Sequence, residues 1–388
     1  MSTPPAPFGA SLRAQFLIEE GITFLNHGSY GATPRPVLEA QDAWRRRLEA
    51  EPVRFMQREL PALLRQAAAK LAAFMGARAR DMVFVENATA GANAVLRSLT
   101  LGPGDEILMT DHGYGAVRNV ILHVCRLSGA KLVEVPLPVP SAGDLEIVAA
   151  VRGLLSARTK LAVFDLITSP TALVLPVAAL AAAARDAGAS VLIDAAHGPG
   201  QLRLDVGALG ADWVVGNAHK WLFAPKGTGF LWAEEGAQRD LHPPVISHGL
   251  DKGFTAEFDW VGTRDPSAWL ASGVGLDFWH QAGAERLMER NRDLAAAAAD
   301  DLSLIWDSPI SGPPALRAAM ATIRLPERLQ PAPAGLHETR AKIQDRLFHE
   351  HHIEVPIIAF KGALWLRLSA QIYNEAEDYP RLARALAE

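Results

Sequence analysis

Cysteine is nearly missing from this chain. Its single cysteine, Cys125, rules out an intrachain disulfide and fits a reducing compartment. No apolar run approaches the roughly 20 residues needed to span a bilayer. A basic block is also absent: 38 Lys and Arg against 43 Asp and Glu leave a net charge of −5. No charge run suits nucleic acid or an anionic membrane. The start, Met1 to Ala10, is Pro/Ser/Ala-rich and lacks the basic opening and apolar core of a signal peptide. A cytoplasmic protein is the expectation. No G-x-G-x-x-G joins a strand to a helix, so Gly227-Thr228-Gly229 reads as a turn and not a dinucleotide loop. His349-Glu350-His351-His352 lacks the i, i+4 spacing of a zinc helix. It reads as a helix end whose histidines complement the dipole, and no metal is expected.

What is present is a long apolar core, 49% of 388 residues, enough for two domains. Short apolar runs at 82–85, 106–109, 131–135, 161–167, 191–193 and 213–215 alternate with helical stretches at 91–99, 116–127, 145–155 and 177–187. That alternation implies an α/β fold with a mainly parallel sheet covered on both faces. Before it, 11–20 reads as a helix and 22–25 as a strand. Pro34 and Pro36 open a helix to about 50, and Pro61 opens one that Gly76 closes. Beyond Pro266 the grammar changes to helices at 267–281 and 284–304, strand 319–324, helix 337–349 and strand 363–369. Three parts are expected: an N-terminal segment, 1–20, packing with the small domain; a large α/β domain, 21–264; and a small α+β domain, 265–388.

Parallel sheets bind ligands at the carboxyl ends of their strands, so those ends carry the functional argument. The first gives Glu86-Asn87-Ala88-Thr89-Ala90-Gly91, a small-residue turn opening a helix that could hold a phosphate. The second gives Asp111-His112-Gly113-Tyr114, with aromatics that could cover a flat ligand. Later ends give Thr168-Ser169-Pro170-Thr171, then Asp194-Ala195-Ala196-His197. A carboxylate there is costly to bury without a partner. The next end is Asn217-Ala218-His219-Lys220-Trp221, where indole and small neighbours desolvate a lysine and favour its nucleophilic amine. Alone, each is an ordinary loop residue or cap. Together, in this order, they match what a heteroaromatic aldehyde such as pyridoxal phosphate needs: an imine-forming lysine, a carboxylate for the ring nitrogen, a donor at the phenolic oxygen, a stacking aromatic and an anion site.

These stretches resemble the class V aminotransferase family of fold-type I pyridoxal-phosphate enzymes, and most of all its isopenicillin N epimerase-like branch. The likeness runs through FLNHGSYGATP (24–34), ENATAGANAVL (86–96), LGPGDEIL (101–108), DHGYGA (111–116) and ITSPTALVLPV (167–177). It continues through VLIDAAHGPGQ (191–201), ADWVVGNAHKWLFAPKGTGFLW (211–232), WVGTRDPSAW (260–269) and LRLSAQIYN (366–374). The resemblance implies pyridoxal 5'-phosphate as cofactor, Lys220 as Schiff-base lysine and Asp194 as partner of the pyridinium nitrogen. It places His197 near the phenolic oxygen and Thr168 by the ring. Ala88, Thr89, Asn217 and His219 form a phosphate cup, which Thr263 reaches from a second subunit. Tyr114 or His112 stacks on the ring. Arg367, with Asn26 beside it, anchors a substrate carboxylate. Lys226 is expected to be a solvated turn residue.

The resemblance further implies a homodimer acting on an amino acid through an external aldimine and Lys220-driven Cα proton transfer, as epimerase or aminotransferase. A β-elimination (C–S) lyase and a non-catalytic binding protein are the alternatives. Cysteine desulfurases of the group use a cysteine in the C-terminal half. None follows Cys125 here, so that activity is not expected.

Overall fold

The computed structural model of the protein describes residues 8–141 and 143–387; Met1 to Pro7, most of the tail read above, lie outside the described residues. The chain builds a seven-stranded sheet. In spatial order its strands are Met82–Val85, Gly229–Ala233, Trp213–Asn217, Ser190–Ala195, Thr159–Asp165, Glu106–Thr110 and Lys131–Val135. Gly229–Ala233 pairs antiparallel with both neighbours, and the other pairs are parallel. The α/β expectation holds.

Alternate residues of each strand feed different cores. Phe84, Leu108, Phe164, Ile193, Val214 and Phe230 join one cluster, while Val83, Ile107, Val163, Leu192, Val215 and Leu231 join the other. Helices Ala88–Ser98 and Gly115–Ser128 cover the second face through Val95 and Ile121. With both faces buried, the strands read as continuous apolar runs. Most helices lie within three residues of their expected bounds, since caps and frayed turns blur the ends.

A second sheet, Ile357–Phe360, Ala363–Ser369 and Met320–Arg324, is antiparallel and has its own core with helices Ala284–Trp306, Leu336–His349 and Asp378–Ala387. Helix Ser267–Gln281 packs instead on Arg35–Ala50 and Leu60–Phe74, beside the large sheet. The helix expected over 11–20 stops at Arg13. Beyond it Phe16 bridges Pro34 and turns inward against Phe223, Phe278 and Tyr373, burial that a continuous helix would forgo. Strand Ile357–Phe360 and helix Phe254–Asp259 carry too few periods to be read from sequence, and helix Asp378–Ala387 is not among the expected elements either. No helix among the described residues is long and apolar enough to cross a membrane.

The N-terminal turn is locked against the loop after Trp213–Asn217. Gly31 has φ 72°, and a Cβ there would stand 2.2 Å from the His219 carbonyl oxygen and 2.9 Å from that of Lys220. Left-handed backbone and backbone contact together demand glycine. Gly31→Ala should lower stability by about 2 kcal/mol or more, read as a reduced thermal midpoint, and should displace Lys220.

Candidate active site

The parallel strands end on one rim, and a cavity of about 500 Å³ opens there, in the range of small-molecule sites. Its lining includes Ser29, Tyr30, Ala88, Thr89, Tyr114, Asp165, Ser169, Asp194, His197, Asn217, His219 and Lys220. Eight residues expected from sequence thus meet in one cavity.

Lys220 Nζ lies 3.3 Å from His197 Nε2. Trp221 Nε1–H, a donor only, points at His197 Nδ1 across 3.4 Å. That acceptor duty puts the proton of the neutral ring on Nε2, facing the lysine. Burial holds the imidazole well below its ordinary pKa, and the charges of Lys220 and Arg367 reinforce it. Nε2–H can donate only to an uncharged amine. Burial and the Arg367 charge bring the Lys220 ammonium down to about 8, against the pull of Asp194. Near neutral pH the ammonium still outweighs the free amine, but the amine is far more populated than in an ordinary lysine.

Asp194 is buried, and its Oδ1 accepts the Ala196 N–H at 2.9 Å. Burial raises its pKa, with the Ala196 N–H and Lys220 opposing. At the other end, helix Ala88–Ser98 presents its first turn, whose N–H groups have no partner inside the helix. Two are already spoken for: Ala88 N–H donates to Asn217 Oδ1 and Ala90 N–H to Asn87 Oδ1, each at 2.9 Å. Asn217 therefore braces the turn from the next strand. His219 donates Nδ1–H to the Thr228 carbonyl at 3.0 Å, leaving Nε2 as an acceptor in the neutral ring. Burial, helped by the Lys220 charge, lowers its pKa to about 4, so proton uptake would turn Nε2 into an anion donor.

Arg367 sits in the interior of Ala363–Ser369 and is 4% exposed. It donates to the Ser169 carbonyl and hydroxyl at 2.7 and 3.1 Å and to Ser29 Oγ at 3.1 Å, both residues lining the cavity. Its Nε is buried without a partner, and no carboxylate faces it among the described residues. Burial brings its pKa to about 10.

Several expectations fail. His112 cannot stack on a ligand in the cavity, because it is buried beneath the rim. Its Nδ1 meets Thr171 Oγ1 at 2.8 Å, its Nε2 the Leu137 carbonyl at 3.3 Å, and Phe360 packs edge-on. Tyr114 is the aromatic that lines the cavity. Thr168 is consumed by the same chain of hydroxyls, accepting Leu173 N–H at 2.9 Å and meeting Thr171 Oγ1 at 2.7 Å. Asn26 does not line the cavity; it donates to Glu354 and accepts from Ser29 Oγ at 2.5 Å, so it reaches Arg367 only through Ser29. Thr263, expected to serve a second copy of the chain, is exposed and lies outside this chain's own cavity lining. Lys226 is exposed at the cavity wall with Nζ 3.2 Å from Thr33 Oγ1. Sequence reasoning missed Asp165, Ser29 and Ser169. Ser169 adjoins Thr168, Ser29 follows Asn26 by three residues, and Asp165 ends an apolar run.

The chain belongs to the aminotransferase class-V family, whose model matches residues 24–382. It is 35% identical to isopenicillin N epimerase of Amycolatopsis lactamdurans, over 98% of both chains. It is 33% identical to a putative L-cysteine desulfhydrase 1 of Oryza sativa subsp. japonica, over 97% of this chain and 85% of that one. Its fold matches a C-DES mutant with glycine covalently linked to the PLP cofactor, at TM-score 0.81 and 22% identity over 97% and 99% of the two chains. The cofactor of this family is pyridoxal 5'-phosphate, and the residues present fit it. A desolvated lysine, a buried carboxylate and an open helix N-terminus share one cavity, and beside them lies an arginine with an orphaned N–H.

The lowered Lys220 pKa sets a pH dependence. Only the free amine attacks an aldehyde, so its reactivity is present above the pKa and lost as pH falls through it. Uptake of pyridoxal phosphate by the cofactor-free protein, trapped with borohydride and located by peptide mass, should rise with a midpoint near 8 and not near the ordinary lysine value.

Proposed function

We propose that this protein is a pyridoxal-phosphate enzyme that moves the Cα proton of an amino acid and acts as an epimerase or aminotransferase of the isopenicillin N epimerase-like kind. The observation that carries the reading is Arg367, a buried guanidinium with an unpaired Nε and no facing carboxylate. An uncompensated buried cation is expensive, and a planar fork is shaped to take a carboxylate by two parallel hydrogen bonds. The α-carboxylate of a substrate supplies that anion. Ser29 and Ser169 hold the guanidinium in place from opposite sides of the chain.

When bound, pyridoxal phosphate supplies the electron sink that acidifies a substrate Cα–H. Lys220 would hold it covalently, Asp194 would pair with its ring nitrogen, and Tyr114 would cover the ring. Ala88, Thr89, Asn217 and His219 would cup its phosphate, with Thr263 completing the cup from a second copy of the chain. Lys220 Nζ then takes and returns the proton. His197, neutral and with Nε2–H toward Nζ, donates to that amine when it is free. Burial together with Asp194 pushes the Tyr114 phenol up, so Tyr114 stays a proton donor at the cavity wall.

A C–S β-elimination is the second reading, favoured by the 33% identity to a putative L-cysteine desulfhydrase and by the same Lys220-centred chemistry. A persulfide route through this chain's own thiol is disfavoured, because Cys125 is buried in helix Gly115–Ser128 away from the cavity.

Three measurements test this. Arg367→Lys should raise KM for the amino acid by about 100-fold with a smaller change in kcat; an unchanged KM refutes the anchor. Lys220→Ala should keep the fold and the thermal midpoint while abolishing turnover, and retained turnover removes its central role. A panel of L-amino acids, with and without a 2-oxo acid, separates the branches by product: D-isomer, new amino acid, or pyruvate with ammonia.

A further inference from the structure

Asp165 has no role in the reading above, yet its place is unusual. It closes strand Thr159–Asp165 and is the register partner of Asp194 on the adjacent parallel strand. Both residues are 4% exposed and both line the cavity. Neighbouring strands run about 4.8 Å apart, and paired residues on one face project side by side, so two carboxyl groups share one buried corner.

The surroundings do not supply charge for two anions. From the loop after Glu106–Thr110, the Tyr114 backbone N–H lies near enough to Asp165 to favour its charged form. Asp194 has the Ala196 N–H and the charge of Lys220. Arg367 is engaged by Ser169 and Ser29, and neither carboxyl forms an ion pair with any arginine among the described residues. Two carboxylates in one low-dielectric site cannot both ionise, and they titrate as a unit.

We propose that Asp165 is a positioning residue for Asp194: the pair holds one proton, and Asp165, as the neutral acid, donates a hydrogen bond to the Asp194 carboxylate. The proton resides on Asp165 because Asp194 keeps Lys220 as its nearby cation, while Asp165 has backbone N–H groups alone. Burial and Asp194 push the Asp165 carboxyl well above its ordinary range, which agrees. The hydrogen bond fixes the rotamer of Asp194 and draws off part of its charge. This moderates how strongly Asp194 attracts a protonated ring nitrogen, a consequence that rests on pyridoxal phosphate occupying the cavity.

The pair itself is testable without that premise. Isotope-edited infrared spectra of the full chain, with carboxyl-labelled aspartate, should show a protonated-carboxyl C=O stretch that persists at pH 8. It should be present in both cofactor-free and cofactor-loaded protein and absent in Asp165→Asn. No such band in the wild-type chain at pH 8, or a band that survives Asp165→Asn, overturns the proposal; the first result needs no variant to fold. In loaded protein the visible band should titrate in Asp165→Asn, which keeps an N–H donor, as in the wild type. In Asp165→Ala its midpoint should move by about one pH unit. Equal midpoints in all three proteins overturn the positioning role. A chain that binds no pyridoxal phosphate overturns the functional reading above, while the infrared band still decides the pair.

Discussion

Everything in the cavity depends on a lysine whose ammonium the surrounding protein makes easier to deprotonate. Burial acts first on Lys220 and the positive field of Arg367 adds to it, while Asp194 opposes them. A neighbouring imidazole, whose proton an indole places on Nε2, can donate to the amine once it is free. The outcome is an amine lowered to about 8, close to where a base and nucleophile is most useful in water.

The same electrostatics explains why the site is split between two sheets. The large sheet supplies Lys220, Asp194, His197 and the helix N-terminus. The small sheet brings Arg367 beside the cavity from an interior strand position, where it is hydrogen-bonded to the lining residues Ser169 and Ser29. A guanidinium raised among apolar strand neighbours meets no competing carboxylate, and so stays available for an incoming anion. Were it on the large sheet beside Asp194, the two would neutralise each other and neither would be free.

Much of this was legible from the residues. The parallel sheet could be read because its strands, buried on both faces, form apolar runs that end abruptly in polar turns. Asp194, His197 and Lys220 stand just past those breaks. His112 and Thr168 were misplaced because a polar residue at a strand end is equally suited to closing a loop, and here a relay from the Leu173 N–H through Thr168 and Thr171 to His112 consumes both. Asp165 stayed hidden inside a run that reads as strand to Ile167, although the strand ends at Asp165 itself. Ser29 was overshadowed by Asn26, whose amide it joins to Arg367. Such contacts depend on residues far apart in sequence, and no local pattern encodes them.

The lysine's own backbone is seated by such a contact. His27 Nε2 donates to the Lys220 carbonyl at 2.9 Å, and its Nδ1 accepts from the Tyr373 hydroxyl at 2.8 Å. Burial keeps that imidazole neutral, at about 3. The three partners span sequence separations of 193 and 346 residues. Closing loops of this length costs entropy before any contact rewards it. A chain emerging from the ribosome can therefore assemble the large sheet, with its strand ends and helix N-terminus, while the lysine's seat still lacks its third support. Tyr373 lies C-terminal to every strand of the large sheet, so the lysine's seat is completed only after that sheet has been synthesised.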